Sequence, residues 1–177
     1  RLNAEHGRQP GARKPDERPR PVPVRAVVEE TIEFLGARLR QAGVPVRVHL
    51  PDEHLHVLAG TVRLQQVLMN VVSNAIDASE QAPERGIEIF TESAGDETAI
   101  LVRDYGPGVD ERVVGRIFDP FFTTKGVGKG LGLGLSISYN IVKDFGGRLS
   151  VCNDPGEGAL FRIGLKTATA SRTEAAE

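Results

Sequence analysis

The segment that most constrains the fold is TAILVRD, residues 98–104, because its side chains are apolar on both faces of an expected strand. Successive side chains of a strand point to opposite sides of a sheet, so this pattern predicts a strand at the centre of a sheet. The segment GIEIFTES, residues 86–93, precedes it across a turn at Gly95 and Asp96. Two such runs around a short turn predict an antiparallel hairpin.

Helical and strand patterns follow one another along the rest of the chain. Apolar residues at helical spacing predict helices over residues 25–43, from residue 61 to before Pro83, and over residues 134–147. Further strands are predicted at VPVRVHL, residues 44–50, and in a final hairpin over residues 148–166. This order predicts an α/β two-layer sandwich, with a mixed, mostly antiparallel sheet of about five strands and about three helices packed on one face.

Composition predicts one domain with two tails. Residues 1–22 are basic and rich in proline, which predicts a disordered linker, and the domain then covers residues 23–166. Residues 167–177 are expected to be a disordered tail. The net charge of −2 argues against a general basic field for nucleic acid. No apolar run approaches the roughly 20 residues of a membrane span, so we expect the chain to lie in the cytoplasm.

The second predicted helix carries polar side chains inside an apolar run, VLMNVVSNAIDAS. Asn70, Asn74 and Asp77 are spaced by four and three residues, so they line one stripe of the helix. Asn and Asp are poor helix formers, and their presence here calls for a compensating role. Their oxygens could coordinate Mg²⁺ together with substrate phosphates. The alternative interpretation is a solvated polar face on a surface helix.

The motif RDYGPGV places Asp104 at the end of the central strand, before Gly106 and Gly108. An ionised carboxylate only accepts hydrogen bonds, so it suits the exocyclic amine of adenine better than a phosphate. The glycines permit close approach of the backbone to a flat base. A turn with an Asx hydrogen bond is the alternative.

The segment FDPFFTTKGVGKGLGLGLS, residues 118–136, runs through alternating glycines into a helix start. Free backbone N–H groups and the positive end of a helix dipole favour phosphate binding at such a helix start. The alternative interpretation of this segment is a flexible insert. The segment is not a P-loop, because Gly130 stands where Ser or Thr is required, and G-x-G-x-x-G spacing is absent. Phe118, Phe121 and Phe122 are expected to anchor the segment to the core.

Together these motifs resemble the catalytic, ATP-binding domain of sensor histidine kinases. That domain belongs to the GHKL superfamily, which also contains type II topoisomerases, mismatch-repair MutL proteins and a heat-shock chaperone. NVVSNAIDA is similar to the family's N box, DYGPG to its G1 box, FDPFFTTK to its F box and GKGLGLGLS to its G2 box, in the family's order. The wording of FFTTK and GLGLGLSISY, with ARKPDERP, is most similar to the C4-dicarboxylate and nitrogen-regulatory sensor kinases.

The resemblance implies ATP and Mg²⁺ as cofactors and a role for each motif. Asn74 would hold Mg²⁺, with Asn70 as a second candidate ligand that also orients the triphosphate, and Asp104 would receive the adenine amine. Asn70 and Lys125 are the implied catalytic residues, and Lys125 and Lys129 would lie near the β and γ phosphates. The other implied nucleotide-site residues are Asp77, Gly106, Gly108, Phe118, Thr124, Gly130, Leu131, Gly132, Leu133 and Gly134.

Asn70 also predicts where the γ-phosphoryl group goes. In the superfamily's hydrolytic members, a Glu that activates water stands four residues before the magnesium Asn. An amide cannot accept a proton, so Asn70 cannot act as the general base that activates water. The γ-phosphoryl group is therefore preserved for another acceptor. For a histidine kinase that acceptor is a histidine.

None of the four histidines matches the family's phosphoacceptor motif, since His6 lacks the acidic neighbour and the others lie in or beside strand-like stretches. We expect the acceptor on a separate helical hairpin, of which residues 1–22 would be a remnant, so that the isolated chain binds ATP without phosphorylating itself. The resemblance further implies a response regulator as partner and a dimeric parent protein anchored in the inner membrane, with this domain in the cytoplasm. A stand-alone serine kinase of the anti-sigma-factor type and a non-catalytic nucleotide-binding module are the alternatives.

Overall fold

The structure is a computed structural model, and it describes residues 18–81, 85–124, 131–154 and 158–168. Within these ranges seven strands and three α-helices occur. In chain order they are β1 (Arg20–Pro23), α1 (Val24–Ala42), β2 (Val46–His49), β3 (His56–Ala59), α2 (Thr61–Ala78), β4 (Ile87–Ala94), β5 (Glu97–Asp104), α3 (Gly134–Asp144), β6 (Arg148–Asp154) and β7 (Gly158–Ala168).

The described strands form one mixed sheet in the order β1-β3-β7-β5-β4-β2, with β6 also paired to β7. β6 pairs with the first part of β7, and β3 pairs with its end at Thr167 and Ala168. β2 and β4 are parallel, and the other pairs are antiparallel. β5 lies between β4 and β7, and its residues 98–102 are buried. The segment that predicted a central strand is therefore an interior strand.

The helices pack side by side on the sheet, and α2 lies between α1 and α3. Leu64, Val67, Leu68 and Val71 of α2 are fully buried and follow the helical repeat. The core therefore lies between the helical layer and the sheet, as the predicted two-layer sandwich requires, and that prediction is confirmed. No helix in the described ranges is long and apolar enough to cross a membrane.

Two strands were not predicted, β1 and β3. Val22 of β1 is fully buried and pairs with Val57 of β3, so residues 20–22 belong to the sheet rather than to the predicted linker. Pro21 and Pro23 argue against a strand in sequence, but β1 is an edge strand, where a missing N–H costs no ladder bond. β7 continues to Ala168, beyond the predicted domain end. Of the predicted tails, residues 1–17 and 169–177 lie outside the described residues.

Candidate functional site

A cavity of about 670 Å³ lies where α2, the end of β5, β7 and the start of α3 meet. Its size is that of a site for a small organic ligand. One part of the lining comes from α2, β5 and the loop that follows β5, and another from the segment before α3. The described lining residues are Asn74, Asp77, Ala78, Asp104, Pro107, Gly108, Val109, Ile117, Phe122, Thr123, Thr124, Leu131, Gly132, Leu133, Gly134, Leu135, Ala159 and Phe161.

Asp104 is the last residue of β5 and is only 2% exposed. Its Oδ1 accepts hydrogen bonds from the backbone N–H groups of Gly106, at 3.0 Å, and Ala159, at 3.4 Å. Among the described residues no group donates to Oδ2, and an ionised carboxylate offers a ligand only hydrogen-bond acceptors. Burial raises the pKa of the Asp104 carboxyl above its ordinary value, and the two N–H groups oppose this shift.

Gly106 and Gly158 allow the backbone to close around Asp104. A Cβ on Gly106 would lie 2.3 Å from the carbonyl oxygen of Ala78, at the end of α2. A Cβ on Gly158 would lie 2.2 Å from the carbonyl oxygen of Asp104, and φ of Gly158 is +77°. A larger residue at either position would therefore separate elements that form the cavity. Gly106 itself does not line the cavity, in contrast to Gly108.

Asn153 of β6 fixes the loop that follows Gly108. Its Oδ1 accepts from the N–H of Val109 at 2.9 Å, and its Nδ2 donates to the Val109 carbonyl. Gly108 has φ of +76°, and a Cβ there would lie 3.1 Å from the Asn153 Oδ1. Gly108 and Val109 both line the cavity, so Asn153 positions this wall. Asn153 was not predictable from the sequence, because its contact with Val109 spans 44 residues.

The polar stripe of α2 divides between two environments. Asn74 and Asp77 line the cavity. Asn70 does not, because it faces α3, where its Nδ2 donates to the Gly134 carbonyl at 3.1 Å and to the Ser138 Oγ at 3.0 Å. The Asp77 carboxylate forms an ion pair with Arg38 of α1, a residue that no motif in the sequence marks.

The segment before α3 and the first residue of α3 form another part of the lining, which includes Thr124, Leu131, Gly132, Leu133 and Gly134 among the residues that the sequence assigned to the nucleotide site. Gly132 has φ of +67°, and a Cβ on it would lie 2.5 Å from the Phe122 carbonyl oxygen. Three further residues assigned to the site, Lys125, Lys129 and Gly130, lie outside the described residues.

The three phenylalanines of this segment differ in their surroundings. Phe118 stacks on Tyr139 of α3, with ring centroids 5.3 Å apart, and does not line the cavity. Phe122 packs against the core and also lines the cavity. Phe121 is 75% exposed and has φ of 64°, so the expectation that all three anchor the segment is wrong for Phe121.

The region that contains this cavity matches a known protein family. The family described as histidine kinase-, DNA gyrase B-, and HSP90-like ATPase matches residues 59–169, which include α2, Asp104 and the segment before α3. The chain belongs to this ATPase family.

Several curated relatives of the domain are sensor proteins. The chain is 37% identical over 156 residues to the C4-dicarboxylate transport sensor protein DctB of Pseudomonas aeruginosa, covering 88% of this chain and 25% of DctB. It is 34% identical over 143 residues to the sensor protein FixL of Bradyrhizobium diazoefficiens, covering 80% of this chain and 28% of FixL. The chain thus spans about a quarter of the length of these relatives.

Solved structures agree with these matches. The nucleotide-free catalytic domain of the histidine kinase ThkA superposes with a TM-score of 0.73 at 30% identity, over 83% of this chain and 94% of that one. Full-length ShkA in complex with AMPPNP superposes with a TM-score of 0.74 at 29% identity, over 86% of this chain and 32% of ShkA. The domain therefore belongs with the catalytic domains of sensor histidine kinases in this ATPase family, and the predicted family is confirmed.

Proposed function

We propose that this domain transfers the γ-phosphoryl group of ATP to a histidine on a separate phosphoacceptor hairpin. The observation that carries the proposal is the buried carboxylate of Asp104, a hydrogen-bond acceptor on the cavity lining of an ATPase-family domain. Adenine offers a donor, its exocyclic amine, that matches this acceptor.

The lining residues suit the other parts of an ATP molecule with Mg²⁺. Asn74 offers on the cavity lining an amide oxygen, a ligand that suits Mg²⁺, and Asn70, which does not line the cavity, is a second candidate through its Oδ1. Gly134 begins α3 on the cavity lining, so its helix start favours phosphate. Lys125 and Lys129 remain proposed phosphate contacts on the basis of the sequence motif. ATP supplies the phosphoryl group, and these residues bind it and orient it.

Asn70 supports transfer to a histidine rather than to water. An amide cannot act as a general base, and the Asn70 Nδ2 is already bonded to the Gly134 carbonyl and the Ser138 hydroxyl. Water that reaches the cavity therefore finds no base at this position.

The partners follow from the same chemistry. The sensor proteins among the relatives imply a phosphoacceptor domain and a response regulator as partners. We further propose that the parent protein is a dimer, that it is anchored in the inner membrane, and that this domain works on the cytoplasmic side.

Mixing the chain with a cognate hairpin tests the proposal. The hairpin, supplied at high concentration with Mg²⁺ and ATP labelled at the γ-phosphate, should gain an acid-labile, base-stable phosphoryl group on its histidine. A hairpin with that histidine changed to Gln is the control for the acceptor, and Asp104→Ala is the control for the nucleotide site. Label that survives acid, or label on the Gln hairpin, would contradict the proposal and favour a serine kinase or another acceptor.

A further inference from the structure

Arg38 and Asp77 form an ion pair that joins α1 to α2 at the edge of the cavity. One guanidinium nitrogen of Arg38 donates to the Asp77 carboxylate, and another donates to the Ser73 Oγ at 2.6 Å. Ser73 and Asp77 are one helical turn apart, so two bonds from one planar group fix the position of the guanidinium. The side chains of Arg38 and Asp77 are 43% and 29% exposed, so the pair remains open to solvent ions.

The described lining of the cavity contains two carboxylates, Asp77 and Asp104, and no lysine or arginine. Asp77 stands three residues after Asn74, the proposed magnesium ligand. A nucleotide triphosphate carries several negative charges, and a carboxylate beside them would repel the phosphate groups. Arg38 does not line the cavity, but its charge lies directly against Asp77.

We propose that Arg38 is a positioning residue that neutralises Asp77 and so sets the affinity of the cavity for the phosphate groups of a nucleotide. The ion pair holds the Asp77 carboxylate toward α1, and Asp77 acts through its charge rather than as a ligand of the metal ion or the nucleotide. This inference rests on the proposed function, because it takes the cavity to be the ATP site.

Nucleotides that differ only in phosphate number test this role on the full 177-residue chain. Calorimetry with ATP, ADP and adenosine is compared for the chain and for Arg38→Gln, Asp77→Asn and the double variant. Arg38→Gln should lower the affinity for ATP about tenfold and the affinity for ADP by less. The affinity for adenosine should be unchanged, because charge repulsion acts only on the phosphates. Asp77→Asn should raise the affinity for ATP. The double variant should bind ATP with an affinity within about twofold of the original chain, because neither charge then remains.

Two controls separate this role from a general loss of structure. Arg63→Gln removes the ion pair of Arg63 with Asp144, which joins α2 to α3 away from the cavity lining, and should leave all three affinities unchanged. Raising the salt concentration should shrink the effect of Arg38→Gln on ATP, because an exposed pair is screened.

Three results would overturn the inference. Equal loss of adenosine and ATP affinity in Arg38→Gln would assign Arg38 a structural role only. Weaker ATP binding in Asp77→Asn would make Asp77 a direct ligand. A double variant as weak as Arg38→Gln would mean that Arg38 contacts the phosphates itself. If the original chain binds no ATP, the proposed function fails instead, so the two failures are distinguishable.

Discussion

At the residue scale, Asp104 has opposite effects on folding and on binding. Burial raises the pKa of its carboxyl, so the charged form is less favourable in the folded protein than in the unfolded chain. For an acid with a raised folded pKa, the favourable contribution to stability is complete below the unfolded pKa and is lost as pH rises through the folded pKa. At neutral pH, the charge that suits a ligand amine therefore lowers the stability of the free protein.

Asp104→Asn should stabilise the free chain at neutral pH. The amide oxygen of the new side chain can still accept from Gly106 and Ala159, while the buried charge is removed. The gain in melting temperature over the original chain should be largest at pH 7 and shrink as pH falls toward the ordinary aspartate pKa of about 3.9. Thermal unfolding of both proteins over this pH range is the measurement. A gain that does not change with pH would contradict the role of the buried charge.

The same substitution should change the choice of base. With the amide oxygen engaged by two N–H groups, the other terminal atom of the substituted side chain would be an NH₂ donor, which opposes the adenine amine and suits the carbonyl oxygen of guanine. The original chain should prefer ATP over GTP by about tenfold or more, since a mismatched buried group costs about 1–3 kcal/mol. Asp104→Asn should reduce or reverse that preference in competition calorimetry. Equal affinities of the original chain for ATP and GTP would refute the assignment of Asp104.

At the element scale, the site depends on the close approach of α2 to the loop after β5. Gly106 allows this contact, since a Cβ there would lie 2.3 Å from the Ala78 carbonyl oxygen. Gly106→Ala should destabilise the fold by about 1–3 kcal/mol, as overpacking does elsewhere, and should also weaken ATP binding, because Asp104 and Ala78 line the same cavity. Denaturant unfolding and calorimetry measure the two effects.

Gly115→Ala is the matched control for this prediction. No heavy atom lies within 4 Å of a Cβ built on Gly115, and its φ is not in the left-handed region. Its effect on stability should remain within about 0.5 kcal/mol, as for other surface substitutions. If Gly106→Ala behaves in the same way as this control, the contact between Ala78 and Gly106 does not constrain the site.

Sequence could predict the elements with strong periodicity but not the contacts between them. The helices and β5 were predictable because burial imposes a repeat of 3.6 or 2 residues. β1 was not, since Pro21 and Pro23 oppose a strand until its edge position is known. Arg38 and Asn153 were also missed, because their partners lie 39 and 44 residues away and the contacts arise only from packing.

At the scale of the whole molecule, the cavity is assembled from α2, β5, the start of α3 and β7, which lie far apart in the chain. A ligand that contacts all of them binds the folded chain and not the unfolded one. Binding therefore couples directly to global stability. Catalysis differs, because the proposed histidine acceptor belongs to a separate hairpin, and separating two reacting groups loses the effective concentration that a linker provides.

The isolated chain should therefore bind ATP firmly and turn it over slowly. ATP with Mg²⁺ at 100 times its dissociation constant should add about 2.7 kcal/mol to the free energy of unfolding, measured as a rise in melting temperature. Phosphate release should stay close to that of an Asp104→Ala control, because Asn70 offers no base to water and its amide is bonded to Gly134 and Ser138 of α3. Adding the hairpin should consume ATP in proportion to the phosphohistidine formed. Rapid phosphate release without the hairpin would show that another group in the cavity activates water, and Asn70 would then not account for the fate of the γ-phosphoryl group.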